Sequence, residues 1–384
     1  MKLTSYARSF HEISVLKDQG FEEVILEPKS LSRFGKLSNS EVESFSKRAR
    51  ELNLRVLIEW DILMTEDVFA AKIPDVKANL SCADALRVQD PGALHWAIEH
   101  ANLPVQFIAE NGNHNLKALE GWIELSQGKL ERIILSIELS RTAIEEYVTK
   151  LSVPCELLGF GRILLFYTPR PLLSALTPEK MAVNEELAAL GESEESPHKG
   201  FPIVENQHGT FMFHIKEFCL VDYAAELSKL GLSFFRIDQR WENPNRLTEV
   251  VSLVRDFSQE GFESLKNVYS QDLMRGFYLV NKTDVLFPKL KNSRLQGRDA
   301  NYIGEIIEAE KGSHLAIMIK NPKGLSSTDQ LKILHPKGEI FEAKIYSLRN
   351  LALEEVTHIP QGQVALIQFV GGVWVKSQVF FNNI

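Results

Sequence analysis

The feature that most constrains this chain is a regular alternation of short apolar runs with helix-period stretches between Val24 and about Arg240. The apolar runs are nearly continuous, which is typical of strands buried on both faces of a parallel sheet. The predicted strands are residues 24–26, 55–59, 85–88, 105–108, 132–135, 156–158, 211–215 and 234–237.

Helical periodicity fills the intervals between these strands. The predicted helices are residues 40–52, 92–99, 116–125, 142–150, 222–230 and 245–258. The first begins with a Ser-x-x-Glu capping box at Ser40 and Glu43. A strand followed by a helix, repeated seven or eight times, predicts an α/β fold of the TIM-like (β/α) barrel type over residues 1–275. A doubly wound open sheet is the alternative, and the lack of a Gly-x-Gly-x-x-Gly turn after any strand weakens it.

Two segments interrupt the pattern, and a third changes it. Residues 176–202 are acidic, contain Pro and Gly, and are predicted to form a surface insertion or loop. Residues 276–301 are predicted to be a basic linker. From residue 302 to 384 the apolar residues alternate with period two between Gly, Pro and Asn turns, which predicts a small all-β barrel domain. Its predicted strands are residues 304–309, 315–320, 331–334, 340–346, 363–368 and 373–380.

Composition limits the classes of protein and compartment. The sequence has 43 Lys and Arg against 51 Asp and Glu, a net charge of −8, which disfavours non-specific nucleic-acid binding by the whole surface. The longest apolar runs are far shorter than the roughly 20 residues of a membrane-spanning helix, and the N-terminus lacks an apolar signal segment. The three cysteines, Cys82, Cys155 and Cys219, are widely spaced, so we expect a protein of the reducing cytoplasm.

Polar side chains follow several predicted strands, at the end where barrel enzymes carry their chemistry. These candidates are Glu27, Glu59, Asp61, Asp90, Glu110, Glu138, Asp238 and Arg240. Several carboxylates at one barrel mouth can bind a cation or act as acid and base. Simpler interpretations stay open, because Asp90 and Ser140 suit helix N-caps and Asp238 with Arg240 suits an ion pair.

Other sequence signatures give little support for a metal site or for nucleophilic catalysis. His95, His100 and His114 do not have ligand spacing, and we predict no metal site. The sequence contains no Cys-x-x-Cys, P-loop or Gly-x-Ser-x-Gly motif. Cys219 and His214 could form a nucleophile and base, but their five-residue spacing on a strand would place them on opposite faces.

The basic linker is a candidate RNA-binding strip. Its residues 282–298 carry five basic residues against one acid, Asp284; the basic residues are Lys282, Lys289, Lys291, Arg294 and Arg298. A solvated linker is the alternative interpretation, whereas clustered cations in an acidic protein favour contact with RNA phosphates.

Five segments, in order along the chain, resemble one known family. They are Gln89-Asp90-Pro91-Gly92, residues 134–140 (ILSIELS), 161–174 (GRILLFYTPRPLLS), 208–220 (HGTFMFHIKEFCL) and 236–240 (RIDQR). Together they resemble the collagenase-like peptidase family, which is family 32 among peptidases of unknown catalytic type. Tyr302-Ile303-Gly304-Glu305 resembles the start of that family's C-terminal barrel, which is similar to the second domain of translation elongation GTPases.

The resemblance implies a barrel-like catalytic domain and oxygen-independent hydroxylation. Family substrates are a tRNA wobble uridine, a ribosomal RNA cytidine or a ubiquinone precursor, and prephenate supports the RNA reactions. The C-terminal barrel makes this chain most similar to the tRNA uridine hydroxylase branch. Including positions that the family retains, the candidate catalytic set is Glu59, Asp61, Glu138, Lys216, Asp238 and Arg240.

The chain departs from the family at its iron–sulfur cluster. Leu164 and Pro171 align with the first two cluster cysteines, the third falls in a cysteine-free stretch at 175–200, and Cys219 alone is retained. Because a cluster normally needs four ligands, we expect no cluster here. Three polar positions of the family are also altered, to Asp61, Gln106 and Ile137.

Three functions remain open at this point. The first is a divergent RNA-modifying enzyme, such as a tRNA hydroxylase, with prephenate as a candidate co-substrate. The second is a non-catalytic paralogue that binds RNA or a homologous protein. The third is a peptidase, as the family name states. We expect RNA or a homologous protein as partner, and neither DNA nor a membrane.

Overall fold

The computed structural model describes residues 1–110, 115–175, 186–192, 199–241, 246–269, 271–279, 301–336 and 338–382. The chain divides into two compact units, Met1–Lys282 and Thr283–Ile384. This division falls inside the predicted linker. The five basic residues predicted to contact RNA, at 282, 289, 291, 294 and 298, lie outside the described residues.

Strands and helices alternate through most of the first unit. Its described strands are β1 (Lys2–Ser5), β2 (Glu23–Leu26), β3 (Arg55–Trp60), β4 (Ala85–Val88), β5 (Val105–Ile108), β6 (Leu130–Leu135), β7 (Cys155–Thr168), β8 (Leu187–Glu192), β9 (Lys199–Asn206), β10 (Gly209–Cys219), β11 (Phe234–Ile237) and β12 (Leu273–Met274). Its described helices are α1 (Phe10–Asp18), α2 (Asn39–Glu51), α3 (Glu66–Leu80), α4 (Pro91–His100), α5 (Leu116–Leu125), α6 (Arg141–Lys150), α7 (Ala224–Lys229), α8 (Leu247–Arg255) and α9 (Gln259–Val268).

Among the described residues, eight parallel strands follow one another in a ring. Strands β2 to β7 pair in chain order, β11 pairs with β7, and β1 pairs with β11. A parallel bridge between Tyr6, just after β1, and Ile25 on β2 returns the pairing to its start. The first unit is therefore a mixed α/β structure of the TIM-barrel kind, with the carboxyl ends of its strands at one mouth.

Along the buried strands the outward-facing and inward-facing side chains differ in polarity, although the sequences read as nearly continuous apolar runs. On β3, Val56 and Ile58 join the large core beneath the helices, whereas Leu57 belongs to a separate small interior cluster. Positions that share the inner face with Leu57 are largely polar, as with Glu59 on β3 and Arg87 on β4. Because successive side chains of a strand point to opposite faces, one run supplies an apolar outer layer and a charged interior.

The structure corrects several local predictions. The capping box of α2 is formed by Ser38 and Glu41, two residues before the predicted pair Ser40 and Glu43. Strand β1 and helices α1, α3 and α9 were not predicted. Strand β1 has a single apolar residue, Leu3, although Thr4 and Ser5 are also buried, and Pro74 inside α3 interrupts its helical signal.

Residues 176–202, predicted to be a surface insertion or loop, form strands rather than a loop in their described parts. Strand β8 and the start of β9 lie there and pair with each other, and β9 pairs with β10. Strand β7 runs past the ring to Thr168 and pairs antiparallel with β10. We call the distal part of β7 with β8, β9 and β10 the flap. It packs Phe211 and Phe213 against Phe34 at the barrel mouth.

The second unit is all-β in its described residues. Its strands are β13 (Tyr302–Glu310), β14 (His314–Ile319), β15 (Leu325–Ser326), β16 (Gln330–Leu334), β17 (Ile340–Lys344), β18 (Leu348–Arg349), β19 (His358–Ile359), β20 (Val364–Gln368) and β21 (Gln378–Phe381). Seven form an antiparallel sheet in the order β17-β16-β21-β13-β14-β20-β18, around a core that includes Ile317 and Ile333. Since β17 and β18 stand at the two ends of this order, the closed β barrel stays a prediction.

The described ranges contain no candidate for a membrane-spanning helix. None of the helices there combines the length and the apolar character needed to cross a bilayer.

Candidate functional site

A cavity of about 300 Å³ opens at the carboxyl ends of the ring strands. Acidic and basic side chains line it together; they are Glu59, Asp61, Glu110, Glu138, Asp238, Arg33, Arg162, Arg236, Arg240 and His214. Most come from the ends of β3, β5, β6 and β11 or the residues directly after them. This is the end of a barrel where catalytic residues are expected.

The structure brings together five of the six predicted catalytic residues. Glu59, Asp61, Glu138, Asp238 and Arg240 all line the cavity. The sixth, Lys216, does not line it: its Nζ lies 3.3 Å from Asp272 Oδ2, and both side chains are substantially exposed. Lys216 entered the predicted set through the family resemblance alone. Its position outside the cavity lining gives that prediction no support.

Glu59 is the most perturbed acid of the cavity. Its carboxylate Oε2 lies 3.2 Å from Tyr6 Oη and 3.3 Å from Arg87 Nε, and the residue is 1% exposed. Burial and the nearby charge of Asp61 raise the pKa of Glu59 to about 7, although Arg87 and Arg240 act in the opposite direction. A carboxyl group with this pKa can donate or accept a proton near neutral pH.

Asp61 serves mainly to hold Arg33. Its Oδ2 accepts a hydrogen bond of 2.6 Å from Arg33 Nε, and its Oδ1 accepts the Arg33 backbone N–H at 2.7 Å. Burial lowers the pKa of Arg33, but the charge of Asp61 outweighs it and raises that pKa. Arg33 Nη1 is buried without a hydrogen-bond partner among the described protein atoms, so it can donate to a ligand in the cavity.

Asp238 and Arg240 form the ion pair that the sequence left open. Arg240 Nε and Nη2 donate to Asp238 Oδ1 and Oδ2 at 2.8 and 2.6 Å, and the guanidinium lies 3.6 Å from the centroid of the Tyr6 ring. Arg240 Nη1 also donates to Glu27. Burial raises the pKa of Asp238, but Arg240 outweighs this effect and lowers it, so both groups stay charged.

The cap interpretation is also correct for Asp90. Its Oδ1 accepts the backbone N–H of Ala93 at 2.9 Å at the start of α4. Ser140 accepts the backbone N–H of Ala143 in the same way at the start of α6. Neither side chain lines the cavity, and both are explained by helix capping.

One wall of the cavity is aromatic and carries an arginine. Phe34, Phe213 and Trp241 line it, and the Arg162 guanidinium lies 5.1 Å from the Trp241 ring centroid. Elsewhere in the cavity lining Arg236 donates to Glu110, while its buried Nε lacks a partner among the described residues. Cationic groups beside aromatic rings suit a ligand that combines negative charge with a flat or apolar body.

Sequence reasoning missed Arg33, Arg162 and Arg236. Arg162 belongs to the Gly-Arg pair of a family-like segment, so the resemblance held a signal for it. Arg236 lies within a predicted strand, and Arg33 lies in a loop without a motif. These three guanidinium groups lie in one cavity only because β7, β11 and the loop after β2 come together in the folded chain.

The residues do not fit an iron–sulfur cluster. Leu164 lines the cavity and Pro171 is exposed, and neither offers a thiolate. Cys219 is 2% exposed, and burial raises the pKa of its thiol to about 12, which opposes the thiolate form that clusters require. In the part of the chain that the structure describes, no three His, Cys, Asp or Glu side chains are arranged so that they could hold a metal ion together.

Two curated proteins are similar to this chain. A tRNA hydroxylation protein P from Escherichia coli (strain K12) is 21% identical over 314 residues, which cover 67% of this chain and 68% of that protein. A tRNA hydroxylation protein P2 from Bacillus subtilis (strain 168) is 26% identical over 180 residues, which cover 45% of this chain and 57% of that protein.

A solved structure and a family model also match. The structure of the U32 peptidase Mk0906 matches with a TM-score of 0.35 at 12% identity, over 41% of this chain and 68% of that one. The family model of peptidase family U32 matches residues 8–285, which include every residue lining the cavity except Tyr6. The chain belongs to peptidase family U32.

Proposed function

We propose that this chain acts in tRNA modification, and that the cavity at the barrel mouth is where a tRNA nucleoside is modified. The observation that carries the proposal is Glu59, a buried carboxyl group with a pKa of about 7 beside several arginines. Two similar proteins bear the name tRNA hydroxylation protein, which supports tRNA as the substrate class.

The cavity residues have distinct roles in this proposal. Arg33, Arg236 and Arg162 hold anionic groups, such as a nucleotide phosphate or the carboxylates of a co-substrate like prephenate. Trp241, against which the buried Phe213 packs edge-on, offers a face on which an unstacked base can lie. Glu59 moves a proton to or from the bound ligand, and Tyr6 and Arg87 fix its orientation.

The proposal extends to the second unit, to a protein partner and to the cellular compartment. We infer that the second unit forms a barrel similar to the second domain of elongation GTPases, as the resemblance at Tyr302-Ile303-Gly304-Glu305 implies. A homologous protein is a candidate partner, because a cysteine-complete relative would supply the cluster that this chain does not hold. Action on tRNA places the protein in the cytoplasm.

The test is nucleoside mass spectrometry of tRNA and ribosomal RNA from cells with the gene deleted and restored. We expect deletion to remove one hydroxylated tRNA nucleoside and the intact gene to restore it. Restoration with Glu59→Gln should leave the nucleoside reduced at least about tenfold, since acid–base catalysis contributes factors of this size or more. Glu43→Gln, which removes an exposed carboxylate on α2, is the matched control and should restore fully.

A second candidate is a non-catalytic RNA-binding paralogue. Leu164 and Pro171 at the two cluster positions favour it, because the chain then lacks the family's redox centre. In that case Glu59→Gln would restore the nucleoside as well as the intact gene does. An unchanged nucleoside profile in the deletion strain would contradict the modification role itself.

A further inference from the structure

We propose that three cations beside the cavity, Lys29, Lys72 and Arg170, form the surface that binds the tRNA backbone and presents the nucleoside to the cavity. We call these three residues the rim patch. The inference rests on the proposed function and adds to it an RNA-contacting surface in the described part of the first unit. The predicted strip at 282–298 is a different segment.

The flap tip is fastened to the loop that carries two of the cavity-lining residues. His208 Nε2 lies 2.8 Å from the carbonyl oxygen of Lys29, and Asn206 Nδ2 donates to the carbonyl oxygen of Arg33 at 2.8 Å. Arg33 and its neighbour Phe34 line the cavity. The flap tip therefore contacts the loop that carries two of the residues lining the cavity.

The turn that carries Arg170 is held by a buried carboxylate. Glu205 is 1% exposed, and it accepts the backbone N–H groups of Leu172, Leu173 and Ser174 at 2.5, 2.6 and 2.9 Å. Although burial raises the pKa of Glu205, these bonds and one from Thr210 outweigh it and lower the pKa to about 2. The turn after β7 is thus fixed to the β9–β10 hairpin.

The same turn places Arg170 next to the flap tip. Thr210 Oγ1 lies 2.8 Å from the carbonyl oxygen of Arg170, and Thr210 is only two residues from His208. The Arg170 side chain itself is exposed. A long cationic side chain on a rigidly held turn suits contact with a phosphate group in solvent.

Two lysines act electrostatically on His208 at the flap tip. Burial lowers the pKa of His208, and the positive charges of Lys72 and Lys29 lower it further, against the opposing effects of its bond to Lys29 and of Asp61. Both lysines therefore lie close enough to His208 to act on it. Two acids of this region have partners of their own: Asp61 binds Arg33, and Glu205 binds backbone N–H groups.

RNA is the partner that this combination fits. The rim patch lies beside a cavity of about 300 Å³ with aromatic and cationic walls, which is of the size that takes a single nucleotide or small ligand. Phosphate contacts position a nucleic acid, and base contacts inside a pocket identify the nucleoside. An acidic protein of net charge −8 needs such a local patch to hold a polyanion.

The experiment compares tRNA binding by two triple variants of the full chain. The first is Lys29→Gln with Lys72→Gln and Arg170→Gln. The matched control is Lys47→Gln with Lys77→Gln and Lys229→Gln, which removes the same charge from exposed residues in the C-terminal halves of α2, α3 and α7. Those halves point toward the barrel end opposite the cavity. Filter binding of bulk tRNA is measured from low to physiological salt, and thermal melting confirms folding.

We expect the rim variant to bind tRNA at least about tenfold more weakly and to lose about 2 to 3 from the slope of log affinity against log salt. The control should bind within about twofold of the unchanged protein. Equal losses in both variants, or no loss in the rim variant, would overturn the rim patch and leave the proposed function standing. Absence of tRNA binding by the unchanged protein would overturn both.

Discussion

At the scale of single residues, Glu59 shows how the barrel interior changes an ordinary side chain. Its carboxyl group lies among Tyr6, Arg87 and Asp61 with 1% of the residue exposed. Desolvation disfavours its ionised form more strongly than the neighbouring arginines favour it. The folded protein therefore binds the Glu59 proton more tightly than the unfolded chain does.

This tight binding predicts a pH-dependent stability. Between the ordinary pKa of 4.5 and the folded value of about 7, the folded state holds the extra proton, so stability falls as the pH rises through this window. Glu59→Gln removes the titration. We expect the free energy of unfolding of the unchanged protein to lose about 2 kcal/mol more than that of the variant between pH 5 and pH 8.

Chemical denaturation at the two pH values measures this difference. Because each protein is compared with itself, any constant cost of the substitution cancels. Parallel pH profiles for the two proteins would show that Glu59 titrates near its ordinary value, and would remove the basis for its acid–base role.

At the scale of elements, helix α2 shows how a correct pattern can be assigned in the wrong register. Both Ser38-x-x-Glu41 and Ser40-x-x-Glu43 match the capping box. The structure uses the first: Ser38 N donates to Glu41 Oε2 at 2.7 Å, and Glu41 N donates to Ser38 Oγ at 3.3 Å. A bridge between Leu37 and Pro28 fixes the chain just before the cap, which selects the register.

The two serines therefore form a matched pair for mutation. Ser38→Ala leaves the Glu41 N–H without its cap, and we expect a loss of about 1 kcal/mol in the free energy of unfolding. Ser40→Ala, inside the first turn of α2, should cost less than about 0.3 kcal/mol. Urea denaturation of both variants checks the difference, and a larger loss from Ser40→Ala would contradict the observed cap.

At the scale of the whole molecule, a charged network crosses the barrel interior. Glu156 on β7 binds Arg87 on β4 through two contacts of 2.9 Å and Arg132 on β6 at 3.1 Å, and Arg132 reaches Glu23 on β2 at 2.8 Å. All four residues are nearly inaccessible. Burial raises the pKa of Glu156, but Arg87, Arg236 and Arg132 outweigh it and lower the pKa to about 2.

Removing one member of this network leaves buried charge uncompensated. We expect Glu156→Gln to lower the free energy of unfolding by about 3–5 kcal/mol, because buried guanidinium groups lose their counter-charge. Glu51→Gln removes the exposed partner of Arg48 and should cost less than about 0.5 kcal/mol. Thermal melting at pH 7 measures both. A small loss from Glu156→Gln would show that water or a rearranged acid replaces its charge.

Much of the fold, and part of the candidate site, could be predicted from local sequence patterns. The eight predicted strands of the first unit all have counterparts in the structure, and α5 matches its predicted bounds of 116–125. Glu59 and Asp238 were identifiable because they follow or end apolar runs. Lys216 does not line the cavity and Arg33 was missed, because strand order does not say which strand positions and loops face the cavity.

The sequence by itself determined the order and type of the main elements, because the period of apolar residues and the capping side chains act over one or two turns. Only the tertiary structure decided which charges meet, as with Arg132 and Glu23, which lie 109 residues apart. Closure of the ring fixes the register between distant strands, and burial then sets the pKa of a group such as Glu59. Both effects depend on neighbours that local patterns do not encode.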